Sequence, residues 1–404
     1  MPRSGGAGAA QLDTETKAGE SATRRRPRRR SAVVLVLLLA AAAVAAVIRR
    51  SGDAEVAKPD RPPSLMCSID PADGEVAIMA AIERCPDGSV VRFPSKRAYH
   101  QNNRILIKDR RNLTIDGNGS TFTTSATQAK EEVNGNWVVL RGFNITLQNM
   151  TAVGAFDLEP PRSFAKYPAG VSEAHMNFGI YGTDTVHLTD LKGSRPWGDG
   201  VTTGPDGYLD GSVVTANWRF ATNVHVSRVE IEHTARVCFA PTSGINIWIE
   251  DSTCRDAWAS GLDAEVDTPT EPLQGLHILR NTFDGYAQGA IFIPIAGEPG
   301  MVRDIEIRGN KLISGPDNQC NQSILIGAYP NATNMMQNVV VEDNEIWALT
   351  RAIEYNHVSG GSILRNTIHP VPAPVGYDAN GWCSEVRQVI VQDSTSVTAS
   401  PSVP

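Results

Sequence analysis

Asp263 and Glu265 stand two residues apart in Gly261-Leu262-Asp263-Ala264-Glu265, where apolar and polar residues alternate. On an extended strand such a pair leaves the same face, with Cβ atoms about 7 Å apart. Two carboxylates at that range are what glycoside hydrolysis needs: one protonates the leaving oxygen, and the other attacks or activates water. Rotamers span both the retaining and the inverting separations, so spacing alone does not choose between them. Two earlier segments of similar pattern carry Asp199, in Trp197-Gly198-Asp199-Gly200-Val201, and Arg236, in His233-Thr234-Ala235-Arg236-Val237-Cys238-Phe239. Arg236 can hold a substrate carboxylate or lower a neighbouring acid's pKa, and Asp199 is a third acid. Trp197, Trp218, Trp258 and Phe239 offer ring faces to the C–H face of a sugar, with His233 nearby. The competing reading is structural. Solvent-facing strands routinely carry Asp and Glu, an Arg236–Asp263 pair can be a surface ion pair of little worth, and His233 can be a turn residue.

The elements that must position these residues show as an internal repeat. Six segments align without gaps: residues 228–231, 251–254, 280–283, 309–312, 343–346 and 365–368. Short β-rich alternations such as Ile247-Trp248-Ile249 precede them, and their last residues are spaced 23, 29, 29, 34 and 22 apart. Such repeats, without a convincing run of amphipathic helices, indicate an all-β solenoid of about ten stacked coils. Ile231, Cys254, Phe283, Leu312, Ile346 and Ile368 then form an inward ladder. Asn281, Asn310, Asn344 and Asn366 share one position, which predicts a stacked turn in left-handed backbone. The same reading covers the Asn-x-Ser/Thr sites at Asn112, Asn118, Asn144, Asn149, Asn321 and Asn331. Matching apolar cores puts Val201, Cys238, Leu262, Ile291 and Ile353 in an inward stack, with Thr202, Phe239, Asp263, Phe292 and Glu354 on the outer face. One helix is expected from Glu75 to Arg84, with Val76, Met79 and Ala80 on one face, Asp73 before it and Pro86 after. It would cap the first coil, because an open solenoid end exposes apolar core. Residues 154–180 and 203–222 exceed ordinary turns and are placed to wall a groove.

The chain has 404 residues and a net charge of −7. Residues 1–50 hold ten basic and three acidic side chains, net +7, which leaves −14 on the remainder. An acidic body argues against nucleic-acid binding and lowers the odds of a polyuronate ligand, so neutral or lightly charged glycans come first. Ala32 to Ile48 is an unbroken apolar run preceded by eight of those basic residues. This predicts a basic cytoplasmic tail (1–30), a single transmembrane signal-anchor (31–48), a proline-rich linker (49–66), an extracytoplasmic solenoid (67–395) and a flexible tail (396–404). The alternative is a cleaved signal peptide and a secreted protein. The length prior of two or three domains gives way to one solenoid, expected as a monomer bound to the membrane through its N-terminal helix.

Outside the cytoplasm disulfides persist. Cys67 and Cys85 bracket the helix, and Cys320 and Cys383 lie in polar loops, so two bridges are expected, with Cys238 and Cys254 as buried thiols. No Cys-x-x-Cys or His cluster suggests a metal.

Ala77 to Arg84, Gly88 to Pro94 and Asn112 to Gly119 resemble the opening of the right-handed parallel β-helix proteins of the pectate-lyase-like superfamily. That resemblance extends over most of residues 67–395 and implies the fold; the superfamily contains hydrolases, lyases and epimerases. Gly198-Asp199-Gly200, Arg236-Val237-Cys238-Phe239 and Gly261 to Glu265 resemble three successive signatures of extracellular β-helix repeat proteins, Gly-Asp-x, Arg-Gln-Gly-Ile and Ile-Asp-x-Glu-Pro. Val237-Cys238 replaces Gln-Gly, and Val266 stands where Pro is usual. The acid pair and the arginine are retained, so the resemblance implies a shared groove; with the chemistry of the pair, a polysaccharide or cell-envelope glycan is expected there, cleaved by Asp263 and Glu265 with Arg236 and Asp199 orienting it. A non-catalytic glycan-binding module is the alternative. A lyase or epimerase is the second, the lyase with Ca²⁺; otherwise no cofactor is expected.

Overall fold

The structure, a computed structural model, describes residues 65–124, 136–158, 171–210, 217–266, 270–295, 301–315, 322–328, 335–348, 351–371 and 389–399. The segments expected as cytoplasmic tail and membrane anchor, with Cys320, Cys383, Asn321 and Asn331, lie outside these residues. No helix among the described residues is long and apolar enough to cross a membrane.

The chain winds into a parallel β-helix. One sheet of ten strands takes a single strand from each coil, from Ile105–Lys108 through Val201–Gly204, Phe239–Pro241, Leu262–Asp263 and Ile291–Ile295 to Val389–Gln392. Each of these strands pairs in parallel with its neighbours in the sheet, the two end strands with one each. A second sheet of nineteen strands bends around the rest of each coil. Parallel strand–crossover–strand connections are right-handed almost without exception, and that is the sense expected here. Along every coil, alternate residues point inward. Ile231, Cys254, Phe283, Leu312, Ile346 and Ile368 are paired each to the next and buried, as the gap-free alignment requires. Each such aliphatic or aromatic side chain contributes roughly 1.5–3 kcal/mol by leaving water, and the ladders merge into one continuous core.

The asparagine ladder is stacked, but its backbone differs from expectation. The left-handed residue is the one before each asparagine: Arg280, Gly309, Asp343 and Arg365. The asparagines instead turn inward. Asn310 Oδ1 accepts from the N–H of Asn281 at 2.9 Å, and Asn310 Nδ2 donates to Ile278 O at 2.8 Å and to Asn344 Oδ1 at 3.0 Å. Asn344 repeats the pattern onto Asn366. The buried amides thus satisfy backbone groups that a turn would leave unpaired. Asn112, Asn118, Asn144 and Asn149 do adopt left-handed backbone, as expected of turn residues.

Two further expectations are corrected. Cys238 is not an inward thiol equivalent to Val201 and Leu262. Phe239 takes that place, paired with both residues in the ten-stranded sheet and buried to 1% exposure, so it is not on the outer face and offers no surface to a sugar. Cys238 occupies the position of Gly200 and Gly261 and is bridged to Cys254. The reason is steric. A Cβ on Gly200 would collide with Ile231 of the next coil, and one on Gly261 with Phe283. The middle coil fills the same place with two half-cystines, so Cys238 and Cys254 are not free thiols.

The cap is the helix Glu75–Glu83. Ile78, Ala81 and Ile82 face the core, rather than the Val76–Met79–Ala80 face, and Val76 is 71% exposed. Cys67 is bridged to Cys85 just beyond the helix. Arg110 closes its C-terminus, donating to Cys85 O at 2.6 Å and to Ile82 O at 3.4 Å, and bonding Asp87 at 2.7 Å.

Candidate functional site

The ten-stranded sheet brings Asp199, Arg236 and Asp263 together from three consecutive coils. Asp199 precedes the strand Val201–Gly204, and its position follows from backbone bonds: its N–H donates to His175 O, and its carbonyl accepts from Asn177 N–H, each at 3.1 Å. Asp263 ends the short strand Leu262–Asp263, whose Leu262 faces the core. Arg236 sits before Phe239, one residue out of step with the expected alignment, and its N–H bonds Gly198 O at 3.0 Å. That offset aims the guanidinium between the two aspartates. Arg236 Nε lies 3.4 Å from Asp199 Oδ1, and Arg236 Nη2 lies 4.0 Å from Asp263 Oδ2. Glu173 closes on Arg236 Nη1 from the segment after residue 170, with its own side chain 73% exposed. Three carboxylates therefore converge on one guanidinium.

Electrostatics separate these acids. Asp199 is 1% exposed. Burial, and after it the charge of Asp263, hold its carboxyl well above the usual carboxylate range. Hydrogen bonds from Val237 N–H and from Thr202 Oγ1, the latter at 3.4 Å, oppose this and do not prevail. Asp263 is half-buried and faces Arg236. Glu265 follows it across the buried Ala264 and is half-buried.

A cavity of about 310 Å³ opens beside Asp199, with Glu173, Tyr181, Thr202, Tyr208 and Thr242 among its walls. Tyr181 is kept protonated by burial and by the nearby Asp199. Tyr208 comes from the segment after Val201–Gly204, and its hydroxyl donates to both oxygens of the fully buried Glu271, at 3.1 and 3.0 Å. Trp218 packs against Tyr208 with ring centroids 5.4 Å apart, and Glu173 with Ala174 from one long segment and Tyr208 with Leu209 from the other line the cavity. Trp197 and Trp258, each 7% exposed, instead pack edge-on with Phe156, and the His233 ring lies tilted against it. These rings support the site from behind.

Glu173 and Tyr181 were not anticipated. Tyr181 is legible in retrospect as an outward position of Phe178-Gly179-Ile180-Tyr181, paired with Gly204. Glu173 carries no pattern, because its loop has no repeat to align. Among the described residues no group of three or more His, Cys, Asp or Glu is arranged to hold a metal ion.

No family model matches the chain, and neither does any curated protein sequence. Solved structures do. The endo-xylogalacturonan hydrolase of Aspergillus tubingensis matches at 12% identity and a TM-score of 0.47, covering 83% of this chain and 93% of its own. PfbA, a surface adhesin of Streptococcus pneumoniae, matches at 12% identity and 0.45, covering 74% and 90%. A family 28 exopolygalacturonase of Yersinia enterocolitica matches at 12% and 0.44, covering 80% and 74%. At that distance the chemistry of this chain rests on its own residues.

Proposed function

We propose that this is an extracytoplasmic β-helix that binds a polysaccharide at the cavity beside Asp199 and hydrolyses it. The observation that carries the reading is the pairing of unlike carboxyls: an Asp199 that is 1% exposed and held well above the usual carboxylate range by burial, and a half-buried Asp263 facing Arg236. Hydrolysis of a glycosidic bond uses that division, with a high-pKa acid giving its proton to the leaving oxygen and an ionised partner stabilising or attacking the sugar. Asp199 is assigned the acid and Asp263 the carboxylate, with Glu265 as the alternative base. Arg236 orients both. Two disulfides support the extracytoplasmic placement. The apolar run at 31–48 would anchor the protein with residues 1–30 in the cytoplasm, or be cleaved to release it.

The burial of Asp199 favours a second reading, a glycan-binding envelope module without turnover. One assay separates the two. The full chain, Asp199→Asn and Asp263→Asn are incubated with neutral, uronic and amino polysaccharides. Hydrolysis predicts new reducing ends without unsaturated products, falling by about 10²-fold or more in both variants while circular dichroism is unchanged. Unsaturated ends would assign elimination instead. Binding without turnover, equal in all three proteins, would leave the inert module.

A further inference from the structure

Within the glycan reading, we infer that the cavity beside Asp199 selects a sugar bearing a free amino group, as in a partly or fully deacetylated hexosamine polymer. The walls supply two carboxyl groups, Glu173 and Asp199, with tyrosine and threonine hydroxyls around them. Arg236, a cation that could otherwise receive an acidic sugar, stands against Glu173, Asp199 and Asp263, so acids of the chain itself already engage it, Glu173 and Asp263 even where Asp199 holds its proton. A uronate would add a further negative charge to this group, whereas an ammonium would reduce the excess. Asp199 Oδ1 is buried and accepts no hydrogen bond among the described residues, its nearest cation being Arg236 Nε at 3.4 Å. Asp199 lines the cavity, and a carboxyl there with an unmet acceptor calls for a donor from a ligand. Glu173, mostly exposed at the rim, supplies the opposing carboxylate. A volume of about 310 Å³ admits a sugar ring and falls at the lower end of small-molecule sites, about 300–1,000 Å³. The −14 charge outside residues 1–50 attracts a polycation toward it.

The test is calorimetric titration of the full chain with four tetrasaccharides: glucosamine, N-acetylglucosamine, glucose and galacturonate. The glucosamine tetramer is expected to bind about tenfold more tightly than its N-acetylated form, the worth of one charge-assisted hydrogen bond. That preference should disappear in Glu173→Gln, whose exposed side chain can change without unfolding the protein. Glu306→Gln, which changes an acid paired with His277 on the other sheet, should keep it. Equal binding of the neutral and amino tetramers, tighter binding of galacturonate, or a preference that survives Glu173→Gln would overturn the amino-sugar inference and leave the glycan site standing. Binding of none of the four would overturn both.

Discussion

Carboxylates meet guanidinium groups in two regions of this solenoid, with opposite results. Along the exposed corner of the nineteen-stranded sheet, Arg228 bonds Asp190, Arg280 bonds Asp251 and Arg365 bonds Asp343, each through two nitrogens to two oxygens. Each arginine meets the acid at the equivalent corner of a preceding coil. Hydrogen bonds from these arginines hold all three aspartates below the usual carboxylate range. At the ten-stranded sheet, three acids share Arg236 and one of them is buried, so Asp199 moves the other way. The residue types are the same. Stoichiometry and burial decide whether an ion pair fastens two coils or keeps a proton available for chemistry.

The contrast breaks most sharply at Arg236. Arg236→Met removes the cation that Glu173, Asp199 and Asp263 share, and is expected to cost about 3–5 kcal/mol in urea unfolding at neutral pH. Removing the bridge behind the site comes next. Cys238→Ala with Cys254→Ala frees the segment that carries Arg236 and the Val237 N–H, and should cost about 3 kcal/mol by the same measurement. Asn310→Ala, inside the buried ladder, leaves unpaired the Asn281 N–H and the Ile278 carbonyl, for a loss of about 1–3 kcal/mol. At the corner, Asp251→Asn should cost less than about 1 kcal/mol and less still at high salt. Its sign with pH is set by a folded pKa below the unfolded one. The Asp251–Arg280 contribution is present above the unfolded value and lost as pH falls through the lower folded value. Thermal melts of the two proteins should therefore converge in strong acid.

Much of this architecture was legible in the sequence because a solenoid repeats its physics. The last residues of the six aligned segments had to be apolar to share a core, and their observed register follows the alignment. Legibility failed where side chains vanish or loops intervene. Gly200 and Gly261 offer nothing to an apolar match, so Cys238 was aligned one residue early and Phe239 was turned outward. The corner asparagines drew attention to left-handed backbone that Arg280, Asp343 and Arg365 adopt instead. Asp199, Arg236 and Asp263 were visible as polar residues in strand context, whereas the proposed division of roles between them depends on burial that spacing does not encode. Glu173 reaches the site from a long loop and had no partner in sequence to reveal it.

The most direct test is a carbon-13 titration of the aspartate carboxyls in the full chain, with Asp251 as the internal reference for the corner. The account predicts that Asp199 titrates well above the ordinary aspartate range while Asp251 titrates below it, and that Asp263→Asn lowers the Asp199 midpoint by removing a neighbouring charge. An Asp199 that titrates with or below Asp251, unmoved by Asp263→Asn, would contradict it.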